Sequence, residues 1–461
     1  MKSDRPYPMF MVTAKGARWL QTGHPWVYAN DLQDEAPSSA PSLTEDLPAN
    51  TPAPLSSSPD APGLENGNLV DVFSPKGSYL GTGFYSAASK IRIRLLSRNA
   101  NDRFDEAFWQ RRFQYAWDYR QQVLPYDLKA IRLIFGEADQ LPGLTVDRFQ
   151  DVLVAQCLSY GMEKRKAMLY PLLLEVLRAN GQEISGIYER NDDPLREKEG
   201  LEQGTGWFVA GEQREGPGGQ FDPQTSQDNE QTTRHGERTT RHSEQTTRVI
   251  EENGLSFLVD FAQGQKTGYF LDQKLNRRRV QDLAHGKRVL DCFTHTGSFA
   301  LNACRGGALS VDGLDISAKA LATAQENARL NQLENKVSWI QADAFEFLTQ
   351  KVAEKVHPWD FIILDPPAFT KSRTTVGKAS HGYYEINRLA MQLLPRGGYL
   401  ATCSCSHFMT ADRLLQELGR AAQALHVSLK QIEARQQSPD HPILRQVPET
   451  EYLKFYLFQI V

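Results

Sequence analysis

The chain has 461 residues, and at roughly 150 residues per domain this length predicts about three domains. Its hydrophobic fraction of 40% is ordinary, and no apolar run reaches the about 18 residues that predict a transmembrane helix. The net charge of −4 neither indicates nor excludes nucleic acid as a partner, because a whole-chain balance hides local basic faces. The first residues lack the apolar core of a signal peptide, and the five cysteines show no metal-ligand spacing. We therefore expect a cytoplasmic protein with no metal and no membrane partner.

The first predicted domain spans residues 1–97 and is a small β-domain. The segments LVDVFS, GSYLGTGFYS and IRIRLLS alternate in character and are bounded by turns. Residues 35–63 interrupt this domain with a stretch rich in Pro, Ser and Ala, which we expect to be a disordered insertion. Without the insertion the domain is basic, and Arg92 and Arg94 alternate along one strand. These two arginines indicate either a solvated strand face or a surface that contacts phosphates.

Residues 98–210 form a second predicted domain of the α+β class. An aromatic stripe in a helix over 102–125 is more typical of a core than of a base-stacking surface. A seven-residue repeat within 211–248, beginning with EQTTRHG, has no apolar position that could form a coiled-coil seam. That stretch therefore predicts a second disordered insertion. Beyond it, Asn253-Gly254 predicts a hairpin turn.

The third predicted domain spans residues 249–461, and from residue 288 onward short apolar strands alternate with helices. This series predicts a mostly parallel sheet covered on both faces, with ligands bound at the carboxyl ends of its strands. A single acid at such an end is commonly only a helix cap, but four in series predict a ligand site. The polar residues at successive strand ends are Asp291, Asp315, Asp343, Asp365 and Ser404.

The strand-end acids resemble those of class I S-adenosylmethionine-dependent methyltransferases, which have a Rossmann-like α/β fold. The alternative, a nicotinamide dehydrogenase, is disfavoured because Thr294-His295-Thr296 stands where the glycines of GxGxxG would be expected. The resemblance implies S-adenosylmethionine as the cofactor. It implies that LDCFTHTGSFA holds the methionine part, Asp315 the ribose hydroxyls and Asp343 the adenine amino group.

Two strand ends bear on the substrate. Asp-Pro-Pro followed by an aromatic residue is typical of methylation on an exocyclic amine, but Ala368 stands in that place and Phe369 comes one residue later. TCSCS, at the next strand end, offers a thiol: a thiolate that adds to C6 of cytosine makes C5 able to attack a methyl group. Cys405 is the predicted nucleophile, against the alternative of a small buried hydrophobe, and Asp365 is the predicted proton donor near N3.

Taken together, the motifs resemble the bacterial 23S ribosomal RNA cytosine-C5 methyltransferases that carry an N-terminal PUA domain. GHPWVYAND, GEADQLPGLTVDR, GQKTGYFLDQ, DCFTHTGSF, LDPPAF and SCS stand in that family's order. The resemblance implies an RNA-binding PUA β-barrel, ribosomal RNA as the partner, and Cys403 as a bystander beside Cys405. The oligomeric state stays open, with a homodimer as one possibility. Two alternative functions also stay open: methylation of a purine amine in RNA, and a non-catalytic RNA-binding assembly factor.

The resemblance also implies which residues line the sites. The cofactor-binding set is Gln265, Lys266, Thr267, Phe270, Asp272, Asp291, Phe293, Thr296, Gly297, Ser298, Phe299, Asp315, Ile316, Asp343, Ala344 and Asp365. The substrate-binding set is Pro366, Pro367, Arg92 and Arg94.

Overall fold

The computed structural model describes residues 5–33, 64–209, 245–370 and 375–461. The predicted insertion at 35–63 and residues 211–244 of the second one lie outside the described residues. The chain divides into two compact units. The first comprises Met1–Gln122, Arg132–Thr247 and Asp260–Gly268, and the second comprises Val123–Ile131, Arg248–Val259 and Tyr269–Val461. This division differs from the predicted domain borders, because the two predicted N-terminal domains share one unit.

A five-stranded sheet in the order β1-β3-β4-β5-β2 opens the first unit. Its strands are β1 (Met9–Met11), β2 (Trp26–Tyr28), β3 (Leu69–Phe73), β4 (Tyr79–Tyr85) and β5 (Ile91–Ser97). Helix α1 (Ala14–Gln21) starts after Thr13, whose hydroxyl accepts a hydrogen bond from the backbone N–H of Gly16. The strands predicted over residues 69–97 are confirmed.

A second five-stranded sheet follows, in the order β10-β9-β8-β7-β6. Its strands are β6 (Ala130–Phe135), β7 (Leu144–Phe149), β8 (Val152–Cys157), β9 (Gly186–Asn191) and β10 (Gly204–Trp207). Its helices are α2 (Glu106–Val123), α3 (Tyr160–Glu163) and α4 (Lys166–Ala179). Phe108, Phe113 and Trp117 of α2 are fully buried, so the core interpretation of the aromatic stripe is confirmed for these three.

A hairpin of β11 (Thr247–Glu252) and β12 (Leu255–Asp260) precedes the main sheet of the second unit. Both residues of its turn are left-handed, with φ of 54° at Asn253 and 76° at Gly254. Asparagine and glycine tolerate this conformation best, so the predicted hairpin turn is confirmed.

The main sheet of the second unit has seven strands in the order β15-β14-β13-β16-β17-β19-β18. They are β13 (Arg288–Cys292), β14 (Ser310–Asp315), β15 (Val337–Gln341), β16 (Phe361–Leu364), β17 (Tyr399–Ser404), β18 (Leu429–Arg435) and β19 (Lys454–Ile460). The helices are α5 (Lys274–Leu283), α6 (Ser298–Arg305), α7 (Ala318–Leu330), α8 (Ala344–Ala353), α9 (Val376–Leu393) and α10 (Ala411–Ala424). The predicted alternation of strands and helices is confirmed.

Strands β13 to β17 run parallel, whereas β19 is antiparallel to both of its neighbours. After β17 the chain forms α10 and β18 at the sheet edge and then returns, so that β19 fills the gap between β17 and β18. Among the described helices, none is long and apolar enough to cross a membrane.

Candidate cofactor and active site

Five predicted site residues follow neighbouring strands at one edge of the seven-stranded sheet. Cys292 at the end of β13 pairs with Leu364 at the end of β16, and Leu364 pairs with Thr402 of β17. Because these strands are parallel, their carboxyl ends meet at the same edge. In strand order, that edge carries Asp343, Asp315, Asp291, Asp365 and Cys405.

The loop after β13 has an unusual backbone. Phe293, His295 and Gly297 have φ of 62°, 50° and 83°, so every second residue is left-handed. For residues other than glycine this conformation is costly and persists only where the surroundings hold it, which is common at ligand sites. Here the backbone N–H of His295 donates to Asp315 Oδ2 at 2.9 Å, and Asn327 Nδ2 donates to the Thr296 carbonyl at 2.9 Å. The loop is thus held in place by polar groups from β14 and α7.

We expect Gly297→Ala to destabilise the protein by about 1–3 kcal/mol. A Cβ atom here would lie 2.6 Å from Trp339 Cη2 and 3.1 Å from Ala324 Cβ, on a backbone with positive φ. Urea unfolding measures the change. Gly419→Ala is the matched control: it lies in α10 with open space around it, so alanine should leave stability unchanged or raise it slightly. Equal midpoints for both variants would contradict the expectation.

Asp291 is a fully buried acid with one unused oxygen. Its Oδ2 accepts hydrogen bonds from Thr294 Oγ1 at 2.5 Å and from the backbone N–H of Ala300 at 2.9 Å. Its Oδ1 is buried and has no hydrogen-bond partner among the described residues. Burial raises the pKa of Asp291 to about 7, and the carboxylates of Asp365 and Asp315 contribute to the same rise. An oxygen in this state fits a cationic or hydrogen-donating ligand.

Asp315 and Asp343 each accept hydrogen bonds from nearby backbone N–H groups and can accept further hydrogen bonds. Asp315 accepts from the N–H groups of His295 and Ser317, one on each oxygen. Asp343 caps α8 through Oδ1 alone, which accepts from two N–H groups, so within the described residues its Oδ2 has no hydrogen bond. Ile316 is 67% exposed beside Asp315. An exposed aliphatic face beside two carboxylates suits a purine nucleoside.

Asp365 is oriented by a chain of hydrogen bonds. Gln273 Nε2 donates to Asp365 Oδ2 at 3.0 Å. Asn276 Nδ2 in turn donates to Gln273 Oε1 at 2.7 Å, and Arg435 Nε donates to Asn276 Oδ1 at 3.1 Å. Gln273 and Asn276 are buried, and the chain fixes which end of each amide faces which partner. The carboxylate is therefore held in one position.

Cys405 differs from every other cysteine of the chain. Cys157, Cys292, Cys304 and Cys403 are buried, whereas Cys405 is partly exposed. Burial raises the pKa of the Cys403 thiol well above its ordinary value, which makes Cys403 inert at neutral pH. The predicted distinction between the two thiols of the SCS run is therefore consistent with their surroundings.

Hydrogen bonds tie the SCS run to the segment after Asp365. Ser404 Oγ donates to Tyr383 Oη at 2.9 Å, and Ser406 Oγ donates to the carbonyl of Thr370 at 2.9 Å. Phe369 packs against Tyr383, with ring centroids 4.7 Å apart. The ring that would stack on a base in an amine methyltransferase is thus partly buried and in contact with Tyr383. Of the two prolines predicted to contact substrate, Pro366 is buried and Pro367 is exposed.

Some predicted cofactor residues do not present their side chains at this edge. Phe299 is 4% exposed and stacks on Phe455, at 6.3 Å between ring centroids. Ala344 is buried in the apolar core of the sheet. Both side chains pack in the core, so their predicted contact would have to come from their backbone. Phe293 is partly buried against the same core.

The predicted GQKTGYFLDQ residues fall in both compact units. Gln265, Lys266 and Thr267 belong to the first unit, where the hydroxyl of Thr267 donates to Asp147. Phe270 belongs to the second unit and packs edge-on against His295 at 5.4 Å. The remaining member, Asp272, accepts from Tyr452 Oη at 2.7 Å. Outside this run, the predicted cofactor residue Ser298 bonds Tyr269 through its hydroxyl.

Arg94 is engaged within the first unit. Its guanidinium donates to Glu199 Oε1 at 2.8 Å and to Glu137 Oε1 at 3.3 Å, and it is 12% exposed. Two carboxylates already balance this charge, which argues against the predicted phosphate contact. Arg92 bonds the carbonyls of Ser86 and Ala87 and has no carboxylate partner among the described residues. Of the two arginines, only Arg92 keeps an uncompensated charge.

Sequence reasoning missed four polar residues of this site: Gln273, Asn276, Tyr383 and Lys454. Gln273 is the last residue of the GQKTGYFLDQ run, but only the fold shows that its amide meets Asp365. Lys454 lies on β19, which was not predicted. None of the four follows a parallel strand, which was the signal used for the acids.

Comparison with known proteins places the chain. Residues 237–458 match the model of an S-adenosylmethionine-dependent methyltransferase, and residues 10–98 match that of a PUA-like domain. The ribosomal RNA large subunit methyltransferase I of Aliivibrio fischeri is 36% identical over 86% of this chain and 91% of its own length. The protein of the same name from Cronobacter sakazakii is 34% identical over 98% and 99%. The chain belongs to the ribosomal RNA large subunit methyltransferase I family.

Solved structures agree on the fold. A SAM-dependent methyltransferase from Streptococcus mutans is 20% identical, covers 98% of this chain and 100% of its own, and has a TM-score of 0.71. A second methyltransferase, complexed with SAH, has a TM-score of 0.72 with the same identity and coverage. The predicted fold class and the predicted cofactor, S-adenosylmethionine, are therefore confirmed. No group of three or more His, Cys, Asp or Glu side chains in the described ranges could hold a metal ion.

The residues at the sheet edge fit this cofactor. S-adenosylmethionine carries an ammonium group and a sulfonium centre at one end and an adenosine at the other. The unused buried oxygen of Asp291 matches the cationic end, and Asp315 with exposed Ile316 matches the nucleoside. The match rests on the donor and acceptor chemistry of side chains that are already in position.

We expect cofactor affinity to rise as pH increases from 6 to 8. Because the pKa of Asp291 is raised to about 7, the folded protein keeps a proton that the unfolded chain has released above about pH 4. The stability of the protein without cofactor therefore falls as pH rises through 7. A cationic ligand favours the carboxylate and must displace that proton below pH 7. Calorimetry at pH 6, 7 and 8 should show cofactor affinity rising by up to about tenfold per pH unit below the pKa of Asp291. Asp291→Asn should flatten this dependence, and an equal slope in the variant would contradict the assignment.

Proposed function

We propose that this protein transfers a methyl group from S-adenosylmethionine to C5 of a cytosine in 23S ribosomal RNA, through a covalent adduct with Cys405. The observation that carries the proposal is the position of the partly exposed Cys405 after β17, which pairs with β16, the strand that Asp365 follows. The relatives named above supply the substrate class. The PUA-like match over residues 10–98 supports RNA as the partner, and a cytoplasmic location is part of the proposal.

The chain's own residues would divide the chemistry as follows. The Cys405 thiolate adds to C6 of the cytosine, a bond forms between sulfur and C6, and the electron pair of the C5–C6 double bond moves towards C5. Asp365, held by Gln273, acts in its protonated form: it donates a proton at or near N3 and so stabilises the charge that develops in the ring. After C5 has taken the methyl group, a base removes the proton at C5 and the C5–C6 double bond reforms as the bond between sulfur and C6 breaks. Cys405 leaves as thiolate, and the proton at N3 returns to Asp365.

The bound cofactor would supply the electrophilic methyl group for C5. Asp291 would hold its amino-acid end, Asp315 its ribose hydroxyls, and Asp343 its adenine amino group through the unused Oδ2. Pro367, exposed beside Asp365, would contact the substrate base.

Methylation of an exocyclic purine amine is the second candidate, because Asp365-Pro366-Pro367 is typical of that chemistry. Two observations disfavour it: Ala368 stands where the aromatic residue is expected, and Phe369 is partly buried against Tyr383. A non-catalytic assembly factor is disfavoured by the complete set of acids at the sheet edge.

Nucleoside analysis of the product tests the proposal. Unmodified 23S ribosomal RNA and assembling large subunits would each be incubated with protein and S-adenosylmethionine carrying a labelled methyl group, then digested and separated by mass. We expect label in 5-methylcytidine from one of the two substrates. Label in a methylated guanosine or adenosine would instead establish the amine reaction, and absence of label from both would favour the assembly factor.

A further inference from the structure

A buried lysine lies against the segment that carries the proposed nucleophile. Lys454 is the first residue of β19, and its partner across β17 is Ser404, which precedes Cys405. Its ammonium donates hydrogen bonds to the carbonyls of Ser406 at 2.6 Å and Tyr452 at 2.9 Å. Ser406 directly follows Cys405. The backbone of Lys454 is thus paired with the residue before the thiol, and its positive charge is held at the carbonyl of the residue after it.

Among the described residues, no salt bridge neutralises the charge of Lys454. Its hydrogen-bond partners are neutral carbonyls, and it pairs with no carboxylate in the part of the chain that the structure describes. The residue is 8% exposed, and burying an unpaired ammonium is unfavourable. Burial lowers the pKa of Lys454 to about 8, although the charges of Cys405 and Glu451 act in the opposite direction. At pH 7 the side chain still carries its proton.

Two other titratable groups of the described residues interact with the thiol, and neither can take this role. Tyr383 of α9 and Cys403 of β17 both interact with Cys405, and burial raises the pKa of each, so they are neutral at pH 7. Asp365 acts on the same two groups as an opposing negative charge. Lys454 therefore supplies the positive charge at this strand end.

We propose that Lys454 stabilises the thiolate form of Cys405 and so prepares it for attack on the base. The inference rests on the proposed function, in which Cys405 is the nucleophile. Lys454 acts through Cys405 and is a positioning residue in this sense: the S–H bond of Cys405 breaks, the proton passes to solvent, and the charge left on sulfur is balanced by the nearby ammonium. The charge of Lys454 acts on the thiol and does not touch the substrate.

The test is the pH dependence of Cys405 alkylation by iodoacetamide, followed by peptide mass analysis in the full-length protein. Because the other four cysteines are buried, Cys405 should react first in the folded protein. In Lys454→Met we expect the pH midpoint to rise by about one unit and the rate at pH 7 to fall about tenfold. Lys454→Arg keeps the charge and should keep the midpoint near that of the unmodified sequence. Lys430→Met, on the exposed face of β18, is the control and should change nothing.

An unchanged midpoint in folded Lys454→Met would overturn the inference, because a purely structural lysine would not set the ionisation of the thiol. Should that variant not fold, the unmodified protein still decides: its midpoint should lie below the ordinary value of about 8.5, and a value at or above this overturns the inference. Alkylation needs neither RNA nor cofactor. Suppose that the alkylation midpoint shifts as expected in Lys454→Met, but the reaction product is not 5-methylcytidine. The proposed function would then be wrong, whereas the effect of Lys454 on Cys405 would be supported.

Discussion

Cys405→Ala should lower the rate of methyl transfer at least about a thousandfold while leaving cofactor binding unchanged. Without the thiolate, C5 of the cytosine is not nucleophilic enough to take the methyl group. A loss of this size corresponds to about 4 kcal/mol of transition-state stabilisation. Single-turnover transfer from labelled cofactor to ribosomal RNA measures the rate, and calorimetry measures cofactor binding.

Two cysteine variants sharpen this result. Cys304→Ala makes the same chemical change at a buried position in α6 and should keep nearly full activity if the protein folds. Cys403→Ala separates the two thiols of the SCS run, and loss of activity there with an active Cys405→Ala would reverse the assignment. RNA that carries 5-fluorocytosine at the target should trap a covalent complex with the unmodified protein and with Cys304→Ala, but not with Cys405→Ala.

Glu252→Ala should destabilise the second unit by about 3–5 kcal/mol. Glu252 and Arg277 form a two-pronged ion pair in which Nε and Nη2 donate at 2.5 and 2.7 Å, and the side chains are 0% and 1% exposed. Tyr269 Oη also donates to Glu252 Oε1 at 3.2 Å. Removing the carboxylate leaves a buried guanidinium without its counter-charge, which costs far more than a lost surface contact.

Urea unfolding followed by circular dichroism measures this effect. The matched control is Glu326→Ala, which removes one side of an exposed pair with Arg329, where the side chains are 47% and 65% exposed. That change should shift stability by under about 1 kcal/mol. A Glu252→Ala variant as stable as Glu326→Ala would show that the buried pair does not support α5. Since α5 also carries Asn276, we expect the loss of stability to be accompanied by weaker positioning of Asp365.

The part of the fold that local patterns encode was predictable. Short apolar strands that end in acids, followed by helices, fix both the parallel order of the sheet and the edge at which Asp291, Asp315 and Asp365 meet. The Asn253-Gly254 turn was predictable because few other residues adopt two successive left-handed conformations.

Long-range pairing was not predictable in the same way. Nothing in the residues around Lys454 reveals that β19 pairs with β17, because that pairing depends on which strand lies next to it in space. The burial of Phe299 and the ion pairs of Arg94 were missed for a similar reason, because both depend on partners that are distant in sequence. Phe299 lies in a ligand-like motif but stacks on Phe455, and Arg94 lies on a basic strand but pairs with two glutamates.

The placement of β19 has a consequence for how the protein is made. The ribosome synthesises β17 before α10 and β18, and β19 only after both, yet β19 is an interior strand bonded on both sides. Until β19 emerges, the edge of β17 that β19 will cover has no hydrogen-bonded neighbour, and such an edge can pair with other chains. Cys405 therefore acquires its lysine neighbour only at the last step of sheet assembly. A nascent chain stalled before residue 454 would carry the thiol of Cys405 without the positive charge of Lys454.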